Sequence, residues 1–388
     1  MGSLPELHHR VWDVIIVGAG PAGSALACRL ASRWNVLLLD RAGSDAHLSQ
    51  RIGESLPGAA SVLLRRLGVY GQFLAQNHAE RGATVSLWES ALPRWFDPLH
   101  DPHGPGWHLD RLRFDAGLRA AAACAGATLM SDAHRTKLKY AAGHWQIEVD
   151  ASQALHPNAR SQMHRAPVVV DASGRSMALA RQLDLMRLED TSLICLYVHL
   201  PCDQRDADQL TRLCADTNGW WYSVRASSGH RVLAFHLDGD DPELKLLRDP
   251  SRLLAKARRH SVLAHLPSAA PGVVVRATMA GASRLDPDSL GSTPAGFFAV
   301  GDAVLAFDPI ASQGLFNALA TSEGVAQAVE LHLTGTPLAR DRYVSEMRSV
   351  YAHYRSRVNE TYARVARYAN EPFWQRRAKA VPFGLGHV

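Results

Sequence analysis

The chain has 388 residues, 47% of them apolar and 20% charged, with a formal net charge of +5. That length exceeds what one hydrophobic core usually serves, so two lobes are expected. No apolar run approaches a membrane span, the opening MGSLPELHHR has no signal-like apolar core, and no basic block with interleaved aromatics occurs, so neither membrane nor nucleic acid is expected as a partner.

The first informative stretch is Asp13 to Arg41, DVIIVGAGPAGSALACRLASRWNVLLLDR. Val14 to Val17 is a β-branched run of the kind a doubly buried parallel strand needs, and it stops at Gly18-Ala19-Gly20-Pro21-Ala22-Gly23. Gly18 permits a tight turn, Gly20 lets the backbone approach a pyrophosphate, and Gly23 lets helix and strand pack closely. A helix from about Pro21 to Arg33 then aims its amino-terminal amides at the phosphates. Val36 to Leu39 is the second strand, and Asp40 stands where a carboxylate accepts hydrogen bonds from ribose hydroxyls. Strand, turn, helix, strand and acid in this order predict a dinucleotide-binding unit.

Next comes Arg51-Ile52-Gly53-Glu54-Ser55-Leu56-Pro57, where an arginine and a carboxylate brought beside the glycine turn can line a cofactor. Arg81 to Pro98 alternates like a strand and carries Trp88, Trp95 and Phe96. His100, His103 and His108 follow in a proline- and glycine-rich loop; their spacing matches no ligand pattern, and no metal is expected. Asp110 is a candidate N-cap for an alanine-rich helix that places Arg111 at its start. Strands are expected at 128–130, 135–140 and 144–149, with a polar excursion over 151–165. Val168-Val169-Val170 ends in Asp171-Ala172-Ser173-Gly174, a turn at a strand's carboxyl end, where open α/β sheets bind ligands.

From Thr191 the pattern switches to strands separated by turns, at 193–200, 219–224 and 231–237, and the Trp220-Trp221-Tyr222 run adds aromatic surface. The chain then returns to the first lobe with a strand ending in Gly301-Asp302, and Asp308-Pro309 leads through Gln313-Gly314-Leu315 into a long helix. A strand-end carboxylate for a polyol and helix amides for a ring carbonyl, without a second glycine motif, favour FAD over NAD as the tightly bound dinucleotide. A final helix from about Asp341 to Arg377 has apolar residues at helical spacing. Five scattered cysteines without a close pair suggest reduced thiols and a cytoplasmic location.

Together these motifs resemble the flavoprotein aromatic hydroxylase and flavin-dependent halogenase superfamily over nearly the whole chain. The resemblance implies an α/β fold: a Rossmann-like FAD-binding lobe (1–80, 105–180 and 275–335), an inserted antiparallel β-sheet substrate lobe (81–104 and 185–274), and a C-terminal helical segment (336–388). It implies that Asp40 holds the adenosine ribose and that Arg51 and Arg111 lie against the flavin. Asp302 would bind the ribityl chain, and Pro309 with the amides of Gln313, Gly314 and Leu315 would border the isoalloxazine. Arg41, Glu54, Ser55, Arg135 and Ala172 complete the cofactor set, while no side chain stands out as an obligatory acid or base.

Within that superfamily, GESLP, Gly106 to Arg111, Gly219 to Ser223 and Pro372 to Arg377 are most similar to the maturation flavoproteins of tryptophylquinone enzymes such as lysine oxidase, glycine oxidase and quinohaemoprotein amine dehydrogenase. The similarity implies an FAD-dependent monooxygenase that hydroxylates a tryptophan of a partner polypeptide, with electrons from NAD(P)H or a separate flavin reductase. A tailoring hydroxylase for a small aromatic or a flavin-dependent halogenase is the alternative, and an FAD-binding maturation factor without turnover is a third reading. Flavin halogenases need a lysine on the strand after the GE motif, whereas the first lysine here is Lys137. The expected substrate site lies between Trp88 and Trp95 on one side and Trp220, Trp221 and Tyr222 on the other.

Overall fold

Five short strands with almost no polar side chain, Phe297–Ala299, Val168–Asp171, Val14–Val17, Val36–Leu39 and Thr128–Met130, lie side by side in that order, every neighbour parallel. The central ones are buried on both faces, as their continuous apolar runs require. The computed structural model describes residues 10–41, 52, 55–133, 135–150, 161–190, 192–203, 207–226, 229–267 and 269–378. Arg51, Glu54 and most of the 151–165 excursion lie outside the described residues. Helix Pro21–Leu30 covers one face of this sheet and packs between helices Arg111–Cys124 and Gly314–Leu333. A second sheet, Arg10–Val11, Gln162–Ala166, His144–Asp150 and Arg135–Ala141, flanks it.

The substrate lobe is built on a seven-stranded sheet in the order Arg276–Met279, Leu193–Pro201, His230–Asp238, Gly219–Arg225, Thr211–Asp216, Thr84–Leu87, Arg94–Phe96. It departs from expectation in three respects. Thr211–Asp216 is a strand that the turn signals do not reveal, and it pairs parallel with Thr84–Leu87, so the sheet is mixed. Arg276–Met279, expected in the cofactor lobe, pairs antiparallel with Leu193–Pro201 and belongs to this sheet. The single final helix is a helix Ala339–Ala363, a short 3₁₀ turn and a separate helix Pro372–Ala378, with Pro372 at the first position of the second helix, where its missing amide costs nothing.

The sheet has two different faces. Leu87, Cys214, Trp221, Leu233 and Phe235 form an outer core with helix Pro250–Ala257, while Cys195, Ala215, Trp220 and Ala234 join the main core beneath. Tyr343, Tyr354 and Tyr362 of the long C-terminal helix are buried in that main core.

Candidate cofactor and substrate site

The four motif strands end at one sheet edge, and backbone hydrogen bonds join their ends. The amide of Gly18 donates to Leu39 O (2.8 Å), Ala172 N to Val17 O (2.8 Å), Val300 N to Asp171 O (2.9 Å) and Asp40 N to Met130 O (2.9 Å). This carboxyl edge is where open parallel sheets bind ligands. The turn glycines are not equivalent. Gly18 has φ +112°, and a Cβ there would stand 2.4 Å from Ala172 O; a Cβ on Gly23 would stand 1.9 Å from Gly18 O. A Cβ on Gly20 would meet no protein atom within 4 Å, so its smallness serves something other than internal packing. Pro21 opens the helix and its first turn holds no acidic residue, which leaves the amino terminus electropositive. Ala19 and Ala22 are buried, and Ala22 packs so closely on Gly301 that a Cβ there would lie 2.7 Å away.

At the second strand end, the half-buried Asp40 accepts from the Arg41 amide (2.9 Å) through Oδ1, and its carbonyl accepts from Ala133 N (2.8 Å). Arg41 is exposed beside it, and Arg135, also exposed, opens the strand just beyond Ala133.

Arg111 is buried and bidentate to Asp115, with Nε to Oδ1 at 3.0 Å and Nη2 to Oδ2 at 3.1 Å, while Asp110 caps the same helix by accepting from Arg113 N. Asp302 lies on a single turn, Gly301–Ala303, 3.4 Å from Arg175 Nε. Burial pushes its carboxyl up, against the lowering pull of Arg175 and Arg111. Arg175 also donates to Gly281 O and to Phe307 O (2.8 Å), so one guanidinium joins the Asp171 turn, the Gly-Asp turn and the strand leaving the seven-stranded sheet. Sequence reasoning missed Arg175 and Asp115; the signal was a charge directly after the Asp-Ala-Ser-Gly turn and another one helical turn past Arg111.

The last motif forms a 3₁₀ turn, Pro309–Ala311, with Asp308 as its cap and Ser312 at φ +49°, before Gln313 and the helix starting at Gly314. Gln313 makes no side-chain cap, so the first helix amides point at the site uncapped by it. Leu315 places its side chain in a core with Leu56 and Phe114, and only its amide is left to face a ligand. Asp308 is held from behind. Tyr362 donates to its Oδ2 (3.0 Å), Tyr354 OH accepts from its amide (2.9 Å), and Trp220 Nε1 donates to Tyr362 OH (3.2 Å).

Those contacts overturn most of the expected aromatic substrate pocket. Trp220 is buried, stacked on His236 with ring centres 3.7 Å apart, and braces Tyr362. Trp221, one residue on, points to the opposite face, is fully buried and donates to Asp216 Oδ2 (2.8 Å). Trp88 is buried against Trp220, Tyr362 and Trp374 and donates to Thr361 O (2.7 Å). Trp95 is 62% exposed on the edge strand and pairs with Val85, on the face away from the cofactor motifs. Of the expected rings, Tyr222 alone is half-buried on the inner face, its hydroxyl 3.1 Å from Ser55 Oγ in the GESLP segment. Of the three loop histidines, His100 and His103 are exposed, and His108 is buried against Thr211 Oγ1 (3.2 Å). Burial pushes His108 down to about 4, with Arg81 acting in the same direction.

No protein-family model matches the chain. It is 27% identical over 370 residues to LodB of Marinomonas mediterranea, named by inference as an FAD-dependent oxidoreductase, covering 94% of this chain and 96% of that one. The solved structure of the myxobacterial chondrochloren halogenase CndH superposes with a TM-score of 0.81 at 20% identity, over 97% of this chain and 87% of that one. The peptidyl tryptophan dihydroxylase QhpG, essential for tryptophylquinone cofactor biogenesis, superposes with a TM-score of 0.73 at 19% identity, over 98% and 81%. The chain therefore has the fold of the flavin-dependent monooxygenases and halogenases, with its glycine turn, Asp171 turn and Gly301-Asp302 turn gathered at the carboxyl edge of the parallel sheet.

Proposed function

We propose that this protein is an FAD-dependent monooxygenase that hydroxylates a tryptophan of a partner polypeptide. The observation that carries the reading is the convergence of Gly20, Asp40, Asp302 and the uncapped helix at Gly314 on one sheet edge beneath the inner face of a second sheet. The residues fit the cofactor. Gly20 leaves room for a pyrophosphate, Asp40 offers an acceptor at the ribose end, and Asp302 with Arg175 and Arg111 supplies charge partners along a polyol. When bound and reduced, FAD would supply two electrons for an oxygenation in which one atom of molecular oxygen enters the ring and the other leaves as water, the electrons coming from NAD(P)H or a separate flavin reductase. The chain's own contribution is to orient and enclose. The uncapped helix amides at Gly314 and Leu315 would stabilise negative charge on a bound flavin, and the Tyr222–Ser55 contact ties the inner face of the seven-stranded sheet to the GESLP segment.

Two considerations favour a tryptophan over a halide reaction. The relative of known structure QhpG acts on a peptidyl tryptophan, and no lysine precedes Lys137, which lies exposed on the flanking sheet opposite Glu148. Incubating the FAD-loaded protein with a tryptophylquinone-enzyme precursor, reductant and oxygen should add the mass of one or two oxygen atoms to a tryptophan peptide. The reading fails if the partner's mass stays unchanged, or if bromide with tryptophan yields brominated product at catalytic rates.

A further inference from the structure

One row of side chains crosses the seven-stranded sheet on its inner face. Register pairs Leu213 with Tyr222, Tyr222 with Ala234, Ala234 with Tyr197, and Tyr197 with Arg276. Direct cross-strand partners project to the same side, so these five share a face. Tyr222 identifies that face as the cofactor side through Ser55, and the neighbouring row, through Trp220 and Tyr362, reaches Asp308. With strands about 4.8 Å apart, three steps place the Arg276 backbone roughly 14 Å from that of Tyr222.

Several arginines around this sheet are neutralised by a carboxylate. Arg212 and Arg231 both reach Asp208 (2.7 and 2.8 Å), Arg377 reaches Asp238 (2.7 Å), and Arg284 reaches Asp190 (3.0 Å). Arg276 is half-buried, stands directly across the strand pair from Tyr197, whose hydroxyl its charge pulls down against the raising effect of burial, and forms an ion pair with no carboxylate among the described residues. A guanidinium partly withdrawn from water without a counter-charge is costly to the free protein, and its planar fork matches a carboxylate. It stands on an edge strand whose Ala277, Thr278 and Met279 are exposed, so a ligand lying along the inner face reaches it from outside.

We propose that Arg276, beside Tyr197 on the inner face, receives a carboxylate of the substrate and selects tryptophan-bearing ligands that carry one. The inference rests on the reading of the protein as a tryptophan hydroxylase. The carboxylate comes either from an acidic side chain flanking the target in a peptide or from a free amino acid's own carboxyl group.

The test measures binding to the FAD-loaded protein by anisotropy of fluorescein-labelled pentapeptides with tryptophan next to Asp or next to Asn. L-tryptophan and L-tryptophanamide serve as competitors. Wild type should prefer the acid form of one pair by about tenfold, as expected for a charge-assisted hydrogen bond. Arg276→Gln should lower the acid form to the level of its amide while leaving the amide within twofold, and Arg276→Lys should lie between. Preference within the peptide pair assigns the contact to a flanking side chain, and preference within the amino-acid pair assigns it to the free carboxyl group. Equal binding of acid and amide by wild type, or a preference that survives in Arg276→Gln, overturns the inference. Should Arg276→Gln lose its flavin absorbance or melt early, Tyr197→Phe replaces it and is expected to weaken the same preference. A partner tryptophan oxidised equally by wild type and Arg276→Gln, without acid preference, sinks this inference and leaves the hydroxylase reading standing; no oxidation and no tryptophan binding sink both.

Discussion

The parallel sheet and the seven-stranded sheet make their surfaces in different ways. At the parallel sheet's carboxyl edge the working groups are backbone amides and small residues, and the geometry comes from turns a few residues long. On the seven-stranded sheet the working groups are side chains, and which of them face the cofactor depends on register with strands far away in the chain. Trp220 and Trp221 illustrate the second case: adjacent in sequence, they serve opposite cores, one bracing Asp308 through Tyr362 and the other bonding Asp216 in the outer core. A substitution at the edge should therefore affect either the ligand or the fold separately, whereas one in the sheet should act first through packing.

The sharpest test sets two glycines of one turn against each other. Gly23→Val drives a side chain into the Gly18 carbonyl, a backbone clash that cannot relax cheaply, and should cost more than about 3 kcal/mol, with little folded protein recovered. A Cβ at Gly20 meets no protein atom within 4 Å, and the extended backbone there suits a β-branched residue, so in Gly20→Val the fold should survive while FAD is excluded. Melting curves and the flavin absorption spectrum separate the two. If Gly20→Val keeps stoichiometric FAD, the edge is not the pyrophosphate site.

Trp221→Ala should be next in size. The ring is fully buried between Phe235 and helix Pro250–Ala257, and removing it creates a cavity and orphans Asp216 Oδ2 from one donor, for about 3–5 kcal/mol. Denaturant melts measure this directly. A folded, stable variant with selectively lost turnover would return Trp221 to the substrate site and break the two-face description.

Acid should act on the seven-stranded sheet and its contact with the cofactor lobe before it acts on the glycine edge. Burial holds His236 at about 3 and His108 at about 4, both below the ordinary value of 6.5, so the folded state keeps them neutral while the unfolded chain takes up protons. Stability from these two is complete above pH 6.5 and falls as pH drops toward their folded values, by about 2 kcal/mol each at pH 5. For Asp216, burial pushes the carboxyl up, but donors from His260, Lys256 and Trp221 hold it well below the carboxylate range, which extends the loss below pH 3.8. Melting temperature between pH 7 and 5 should decline, and His236→Gln should flatten the decline; an unchanged slope would show that these groups do not govern it.

The same contrast explains how much was legible in advance. Gly18, Gly23, Asp40, Asp171 and Asp302 could be placed because each belongs to a turn whose conformation is set by its immediate neighbours. The N-cap at Asp110 was legible for the same reason. Trp88, Trp220 and Trp221 could not, because aromatic residues suit a core and a binding face equally, and only the pairing of strands separated by many residues decides between them. Thr211–Asp216 escaped because its mixture of polar and small residues carries no strand alternation, although pairing on both sides makes it a strand. Arg276 was passed over because an arginine on a short polar strand looks solvated until its missing partner is noticed.

The smallest effect is expected at Trp95. Its strand, Arg94–Phe96, is the outer edge of the sheet; Trp95 shares Val85's face, turned away from Tyr222 and Ser55, and most of the ring is in solvent. Surface substitutions of this kind usually change stability by no more than about 0.5 kcal/mol. Trp95→Ala should keep the flavin spectrum, the melting temperature within a degree or two, and the oxidation rate of a short tryptophan peptide. Large exposed rings on an edge strand are uncommon in a protein with nothing to bind there, so the oxidation rate of the intact partner should be measured beside that of the peptide. A loss with both substrates would mean that the edge strand folds over the site and that the inner face does not end at Tyr222; equal rates with both would confine the site to the inner face.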